Sequence, residues 1–171
     1  MVDFGCTPQL DLEFMNREHR KAFDDANALK ILLDKALKCR LDNRLNPQPE
    51  KVLESEVEVQ IKADLSESDS VKIERLLQRL LLDTVTHFEL EEQWMEEHCF
   101  PARAEHCQEH QRVLQWMAQE HSLWIADCSL STITHLSDYA ADKFPNWLVN
   151  HIVTMDTVLA SYVHRHGGRS H

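Results

Sequence analysis

Apolar residues recur at helical spacing along four stretches of the chain. Between Asn16 and about Arg40, the residues Phe23, Ala26, Leu29, Leu33 and Leu37 follow at intervals of three and four, which predicts an amphipathic helix. Asn16 is its candidate N-cap, with Glu18 in the first turn. From about Asp69 to Cys99 a second stripe runs through Ile73, Leu77, Leu80, Leu81, Thr84, Phe88, Glu91 and Met95. Phe100-Pro101 closes it, because proline cannot continue the hydrogen-bond ladder but suits the first turn of a following helix. The third helix, about Ala102 to Asp127, carries Val113, Leu114, Met117 and Trp124. After the turn SLST a short helix is predicted over 132–142, Pro145 marks a break or a first-turn position, and Trp147 to His164 forms the last helix.

Residues 41–68 interrupt this pattern. NPQPE holds two prolines, EVEVQIK alternates like a strand or a weak helix, and ADLSESDS is acidic and hydroxyl-rich, as a helix start would be. The sum predicts an all-α, up-down-up-down four-helix bundle with insertions between the first and second helices (about 41–68) and before the last (about 129–145). One domain is expected over 1–171, with its core at about 14–165 and a tail at 165–171.

Composition sharpens this picture. Only 3 Gly and 5 Pro occur in 171 residues, which favours long uninterrupted helices. The formal charge of -11, from 18 Lys+Arg against 29 Asp+Glu, leaves no basic footprint for nucleic acid or anionic lipid. The N-terminus MVDFGCTPQLDLEF lacks the basic and apolar parts of a signal peptide, and no apolar run is long enough for a membrane span, so a cytoplasmic protein is expected. Cys6, Cys39, Cys99, Cys107 and Cys128 are scattered without a CxxC pair and are read as free thiols. Histidine is the anomaly, at 11 residues.

Two pairs of polar residues stand inside the apolar stripes. His87 and Glu91 lie at i and i+4 on the second helix, and His106 and His110 repeat that spacing on the third. Facing helices that each present such a pair can converge on metal in a bundle core, where an ionised Glu91 would be costly without a cation. Either pair alone is also what an ordinary polar stripe gives. On the last helix Asp156 follows His151 at i+5, about 140° away on a 3.6-residue helix, so periodicity does not pair them.

These residues carry a resemblance. The run HFELEEQWMEEHCFPARAEHCQEH, from His87 to His110, resembles the hemerythrin signature; WLVNHIVTMD, from Trp147 to Asp156, resembles that family's last-helix motif; and NREHRKAFDDANAL is similar to its first-helix motif, with His19 at the ligand place. The similarity spans His19 to about Leu159. It implies a non-haem centre of two iron ions, bridged by carboxylates and by a solvent-derived oxo or hydroxo group. His106, His110 and His151 would bind one iron, His19 and His87 the other, and Glu91 and Asp156 would bridge both. On that scheme the first iron is six-coordinate and the second keeps one position open for a gas. By ligand type alone zinc or manganese would also fit.

The resemblance further implies an apolar wall over the open position from Phe88, Trp147, Leu148 and Ile152, with Ala22 and Phe23 on the first helix. Ala22 departs from the family, which usually has a large aliphatic residue there, and the smaller side chain is expected to widen the pocket and speed ligand access or autoxidation. Among the other histidines, His121 is expected in the core, His98 to cap carbonyls at a helix end, and the rest, His135, His164, His166 and His171, to have ordinary roles. The function implied is reversible binding of dioxygen or another small diatomic gas for storage, delivery or sensing, without turnover. The alternative is a di-iron enzyme or responder acting on nitric oxide, peroxide or dioxygen, or an iron-handling repair protein, for which Cys6 alone is weak support. A third alternative is a helical interaction module whose site holds structural metal or none. A protein partner, if one exists, is expected at the insertions.

Overall fold

A computed structural model describes residues 13–45 and 67–166, and among them every long element is helical. Helix α1 spans Glu13–Leu45, α2 Glu67–Glu97 and α3 Arg103–Ala126. The last helix, α4, is one rod in five pieces: Leu130–Asp138, a π turn at Tyr139–Lys143, Phe144–His151, a second π turn at Ile152–Asp156, and Thr157–His166. NPQPE and EVEVQIK, Cys6 and residues 167–171 lie outside the described residues.

Side-chain pairs fix the topology. Lys21 meets Asp83, Arg79 donates to Asp25 and Lys35 meets Asp69, so each step forward on α1 matches an equal step backward on α2. Glu120 with His135 and Glu109 with Trp147 set the same antiparallel register between α3 and α4, and Asp34 with Ser137 sets it between α1 and α4. The result is the up-down-up-down bundle. No helix among the described residues is long and apolar enough to cross a membrane.

One local expectation changes and another is decided. Asn16 is not an N-cap, because α1 is already helical from Glu13. Of the two readings of Pro145, a first-turn position holds and a break does not: it stands in the first turn of the piece Phe144–His151, Lys143 and Phe144 keep right-handed helical angles, and the Phe144 N–H reaches back five residues to the Tyr139 carbonyl. The extra residue in that π turn relaxes the tight α ladder at the point where a proline ring would clash with it. Residues 130–143 are therefore the leading half of α4, packed on α1.

Both short connections have explicit chemistry. At the end of α2 the Phe100 N–H bonds the Met95 carbonyl at 2.8 Å and the Cys99 N–H bonds the Glu96 carbonyl at 3.1 Å, with Cys99 at φ 50. This is a Schellman turn with cysteine at the left-handed position, and Phe100 packs on Met95 as that motif requires. His98 contributes the expected cap, its Nδ1 lying 2.9 Å from the Trp94 carbonyl. Pro101 stands in this turn, ahead of α3 rather than in its first turn. The main core fills the middle and far end of the bundle with Leu29, Leu33, Ile73, Leu80, Trp124 and Ile133, while Met95, Phe100, Leu159 and Val163 form a smaller cluster at the near end. Between these two apolar layers lies a polar one.

Candidate metal centre

Each helix contributes to that polar layer from its inner face. α1 supplies His19, α2 His87 and Glu91, α3 His106 and His110, and α4 His151 and Asp156, each no more than 6% exposed. The i, i+4 pairs do what helical geometry dictates: His87 Nε2 lies 3.3 Å from Glu91 Oε1, and the rings of His106 and His110 are 4.5 Å apart. The i+5 pair is brought together by the π turn at Ile152–Asp156. Its wider loop rotates Asp156 back toward His151, and His151 Nε2 lies 3.1 Å from Asp156 Oδ1. Thr157 locks the turn, since both its N–H and its hydroxyl donate to the Ile152 carbonyl, the latter at 2.7 Å.

The two carboxylates divide their oxygens. Glu91 sets Oε1 beside His87 and Oε2 beside His110 at 3.2 Å and His106 at 3.8 Å. Asp156 sets Oδ2 3.0 Å from His19 and Oδ1 beside His151 and His106, the latter at 3.4 Å. Each acid thus faces a three-histidine group with one oxygen and a two-histidine group with the other. Two sets of four ligand atoms follow, Glu91 with His106, His110 and His151, and Glu91 with His19, His87 and Asp156, all within 4.8 Å of one another in each set.

The contacts suit ligation better than hydrogen bonding. Both oxygens of Glu91 and Asp156, and Nε2 of His19, His87 and His110, are buried without a hydrogen-bond partner. His106 and His151 turn Nε2 atoms toward each other at 3.3 Å. Ligand atoms at right angles around one ion, with bonds of about 2.1 Å, stand about 3.0 Å apart, close to these separations. Buried polar atoms left unpaired are costly, and a cation between them removes that cost. The residues present therefore fit a metal site.

Protonation agrees. Burial first, then the neighbouring histidines, lowers His87 to about 3 and His110 to about 2, so both rings are neutral and have a lone pair to offer. His110 Nδ1–H donates to Glu92 Oε1 at 3.1 Å, which leaves its Nε2 as the free donor atom. Burial, with the charges of Asp156 and Glu92, holds Glu91 well above the usual carboxylate range. Burial would also raise Asp156, but His151, His106 and His19 outweigh it and hold that group well below its usual value.

Beside the two-histidine group lies a cavity of about 20 Å³, room for one water-sized or diatomic molecule. Ala22, Phe88, Trp147 and Leu148 line it together with His19, His87 and His151. Phe23 and Ile152 do not; they are buried in the main core. Phe88 lies flat on His110, with centroids 3.6 Å apart, and Trp147 stacks on His151 at 5.1 Å. The cavity's polar rim is already paired: Thr84 donates to the Leu80 carbonyl at 2.8 Å, and Lys21 lies 2.9 Å from Asp83.

Sequence reasoning did not find the partners behind the cluster. No motif in the sequence assigns a role to Glu92, Glu109 or Glu120, yet His110 Nδ1–H donates to Glu92, Trp147 Nε1–H to Glu109 and Trp116 Nε1–H to Glu120. The antiparallel register of the helices places Glu92 against His110 and Glu109 against Trp147, whereas Trp116 and Glu120 meet at i, i+4 on one helix. His121 is half-buried rather than fully in the core, and His135 pairs with the buried Glu120 at 2.7 Å.

No curated protein and no solved structure gives a significant match to the chain. The Hemerythrin family, described as the hemerythrin HHE cation binding domain, matches residues 10–163, a span that takes in all seven clustered residues. The chain belongs to the hemerythrin family.

Proposed function

We propose that the chain holds two iron ions in this layer and binds dioxygen reversibly. The observation that carries this reading is the division of oxygens by Glu91 and Asp156 between a three-histidine and a two-histidine group. Three imidazoles and two carboxylate oxygens would give one ion five protein ligands; two imidazoles and two carboxylate oxygens would give the other four. The cavity touches the two-histidine group at His19 and His87, where a small further ligand would find room. Imidazole and carboxylate also suit zinc and manganese, and family membership favours iron.

Iron, when bound there, supplies the electrons with which dioxygen is held. The residues of this chain do the rest. Phe88, Trp147 and Leu148 give the cavity an apolar wall, and the polar side chains that also line it have partners: Thr84 bonds the Leu80 carbonyl, Lys21 meets Asp83, Asp25 meets Arg79 and Glu18 meets Arg17. No free acid or base therefore points at the ligand, which favours reversible binding over turnover.

The test is anaerobic iron loading followed by visible absorption spectroscopy on adding dioxygen. A charge-transfer band that appears with the gas and disappears on its removal is the expected result, with two irons per chain by elemental analysis. Rapid bleaching with product formation would replace this reading with that of an enzyme, and zinc with no band would overturn it.

A further inference from the structure

A series of aromatic rings leaves the polar layer and reaches the surface. Trp147 stacks on His151, with ring centroids 5.1 Å apart and planes 26° from parallel. Phe144 follows at 5.8 Å, Tyr139 at 5.7 Å and Trp116 at 5.0 Å. Phe144 and Tyr139 are buried, whereas Trp116 and Trp147 are half-buried and line one surface cleft with Arg112, Gln115 and Gln119. Electron transfer weakens steeply with the gap to be crossed, so rings in van der Waals contact are a favourable medium for it.

The two indoles of the series share a second feature. Trp147 Nε1–H donates to Glu109 Oε1 at 2.8 Å, and Trp116 Nε1–H donates to Glu120 Oε1 at 2.9 Å. A carboxylate on the indole N–H stabilises positive charge on the ring and can accept its proton. Packing alone requires neither.

We propose that Trp147, which stacks on His151 on one side and lines the surface cleft with Trp116 on the other, is a one-electron exit that carries an oxidising equivalent from the buried centre to the surface. The inference rests on the metal-binding reading above, and the oxidant it concerns is peroxide, whose chemistry at a buried site endangers the side chains around it. One electron leaves the Trp147 π system for the site, and the Nε1–H bond breaks with its proton passing to Glu109, leaving a neutral indolyl radical. A surface one-electron donor of the ascorbate or thiolate class then returns the electron, and the proton moves back from Glu109 to Nε1. The donor is oxidised, the site is reduced, and the protein is unchanged.

A second ring series provides an internal contrast. From His106 it runs to Phe100 at 6.5 Å, Tyr162 at 5.3 Å and the exposed His166 at 4.2 Å. Its first gap is the longest of either series, and the Tyr162 hydroxyl donates to the Cys99 carbonyl, which cannot take up a proton. The route through Trp147 is therefore favoured.

Flash oxidation of the metal-free chain with tris(bipyridine)ruthenium(III) tests the route without the metal. A tryptophan radical seen by transient absorption and electron paramagnetic resonance should fall roughly tenfold in the Trp116→Phe/Trp147→Phe double variant and persist in Trp94→Phe. A radical confined to Trp94 or Tyr162 overturns the proposal. In the iron-loaded protein treated with peroxide, peptide mass mapping should place oxidation on Trp116 and Trp147. In Trp147→Phe, which keeps a ring against His151, oxidation should shift to the clustered histidines; an unchanged pattern overturns the route. Failure to load iron at all counts against the proposed function, while the flash experiment still decides the route.

Discussion

The two ends of the bundle solve the same packing problem with opposite materials. At the end reached by Leu29, Leu33, Ile73, Trp124 and Ile133, four helices meet through apolar side chains that are almost fully buried, and charged pairs such as Lys35–Asp69 stay at its edge. Towards the other end, beneath a small apolar cap of Met95, Phe100, Leu159 and Val163, the same four helices meet through five imidazoles and two carboxylates, buried just as deeply and short of hydrogen bonds. The apolar end is complete as folded. The polar end is complete only when positive charge is supplied from outside, so the first can carry the fold while the second is tuned for a ligand.

Metal loading should break this symmetry most. A ligand at a thousand times its dissociation constant adds about 4 kcal/mol to stability, so iron-loaded protein should resist denaturant far better than the metal-free chain. Glu91→Ala should abolish that increment, because the lost carboxylate serves both ligand sets. The metal-free form of the variant should be at least as stable as the parent, since a buried, unpaired carboxyl has been removed. Denaturation of both proteins with and without iron checks this; a loading increment that survives in Glu91→Ala would show that the polar layer is not the binding site.

Leu33→Ala makes the reciprocal test at the apolar end. Leu33 is fully buried, and truncation at such positions costs about 2–5 kcal/mol. The cost should be the same with and without iron, because no clustered residue belongs to that layer. A cost that depends on loading would mean the two ends are coupled.

How much of this contrast is legible in the sequence differs between the ends. The apolar end follows from spacing alone: Leu29, Leu33, Ile73 and Leu77 are buried as their periodicity demands. At the polar end the i, i+4 pairs are legible for the same reason, but Asp156 is not, because only a π turn brings an i+5 residue onto the same side. The resemblance supplied that residue where periodicity could not. Glu92 and Glu109 were illegible on either basis, since an acid beside a helix reads as solvated until a neighbouring helix places a ring nitrogen against it. Pro145 left two alternatives open, and the π turn ahead of it decides for the first-turn position over a break.

Between the two ends lies the cavity, and Ala22 sets its size. The side chain is half-buried and faces the space that His19 and His87 border. Ala22→Leu adds three carbons, more than a volume of about 20 Å³ can hold, and should close it. Gas association and autoxidation of the iron-loaded protein should slow by roughly tenfold, equivalent to about 1.4 kcal/mol, while iron content stays the same. Stopped-flow mixing measures the first and the decay of the oxygenated spectrum the second; unchanged rates would place ligand access elsewhere.

The smallest expected effect concerns the turns that close the two ends. At the apolar end Ser129 caps α4, its hydroxyl taking the Thr132 N–H while Asp127 accepts from the Ser129 N–H at 2.9 Å and from the Thr132 hydroxyl at 3.1 Å. No strain is visible there. At the polar end Cys99 holds the left-handed position at φ 50, which costs a non-glycine residue about 1–2 kcal/mol. Glycine would remove that cost but add unfolded-state entropy of about 0.5–1 kcal/mol, so Cys99→Gly should stabilise the metal-free chain by a net of about 0.5–1 kcal/mol. Cys99→Ala retains the strain and should not. Urea midpoints of the three proteins decide it, and equal gains from glycine and alanine would assign the effect to the thiol instead of the backbone.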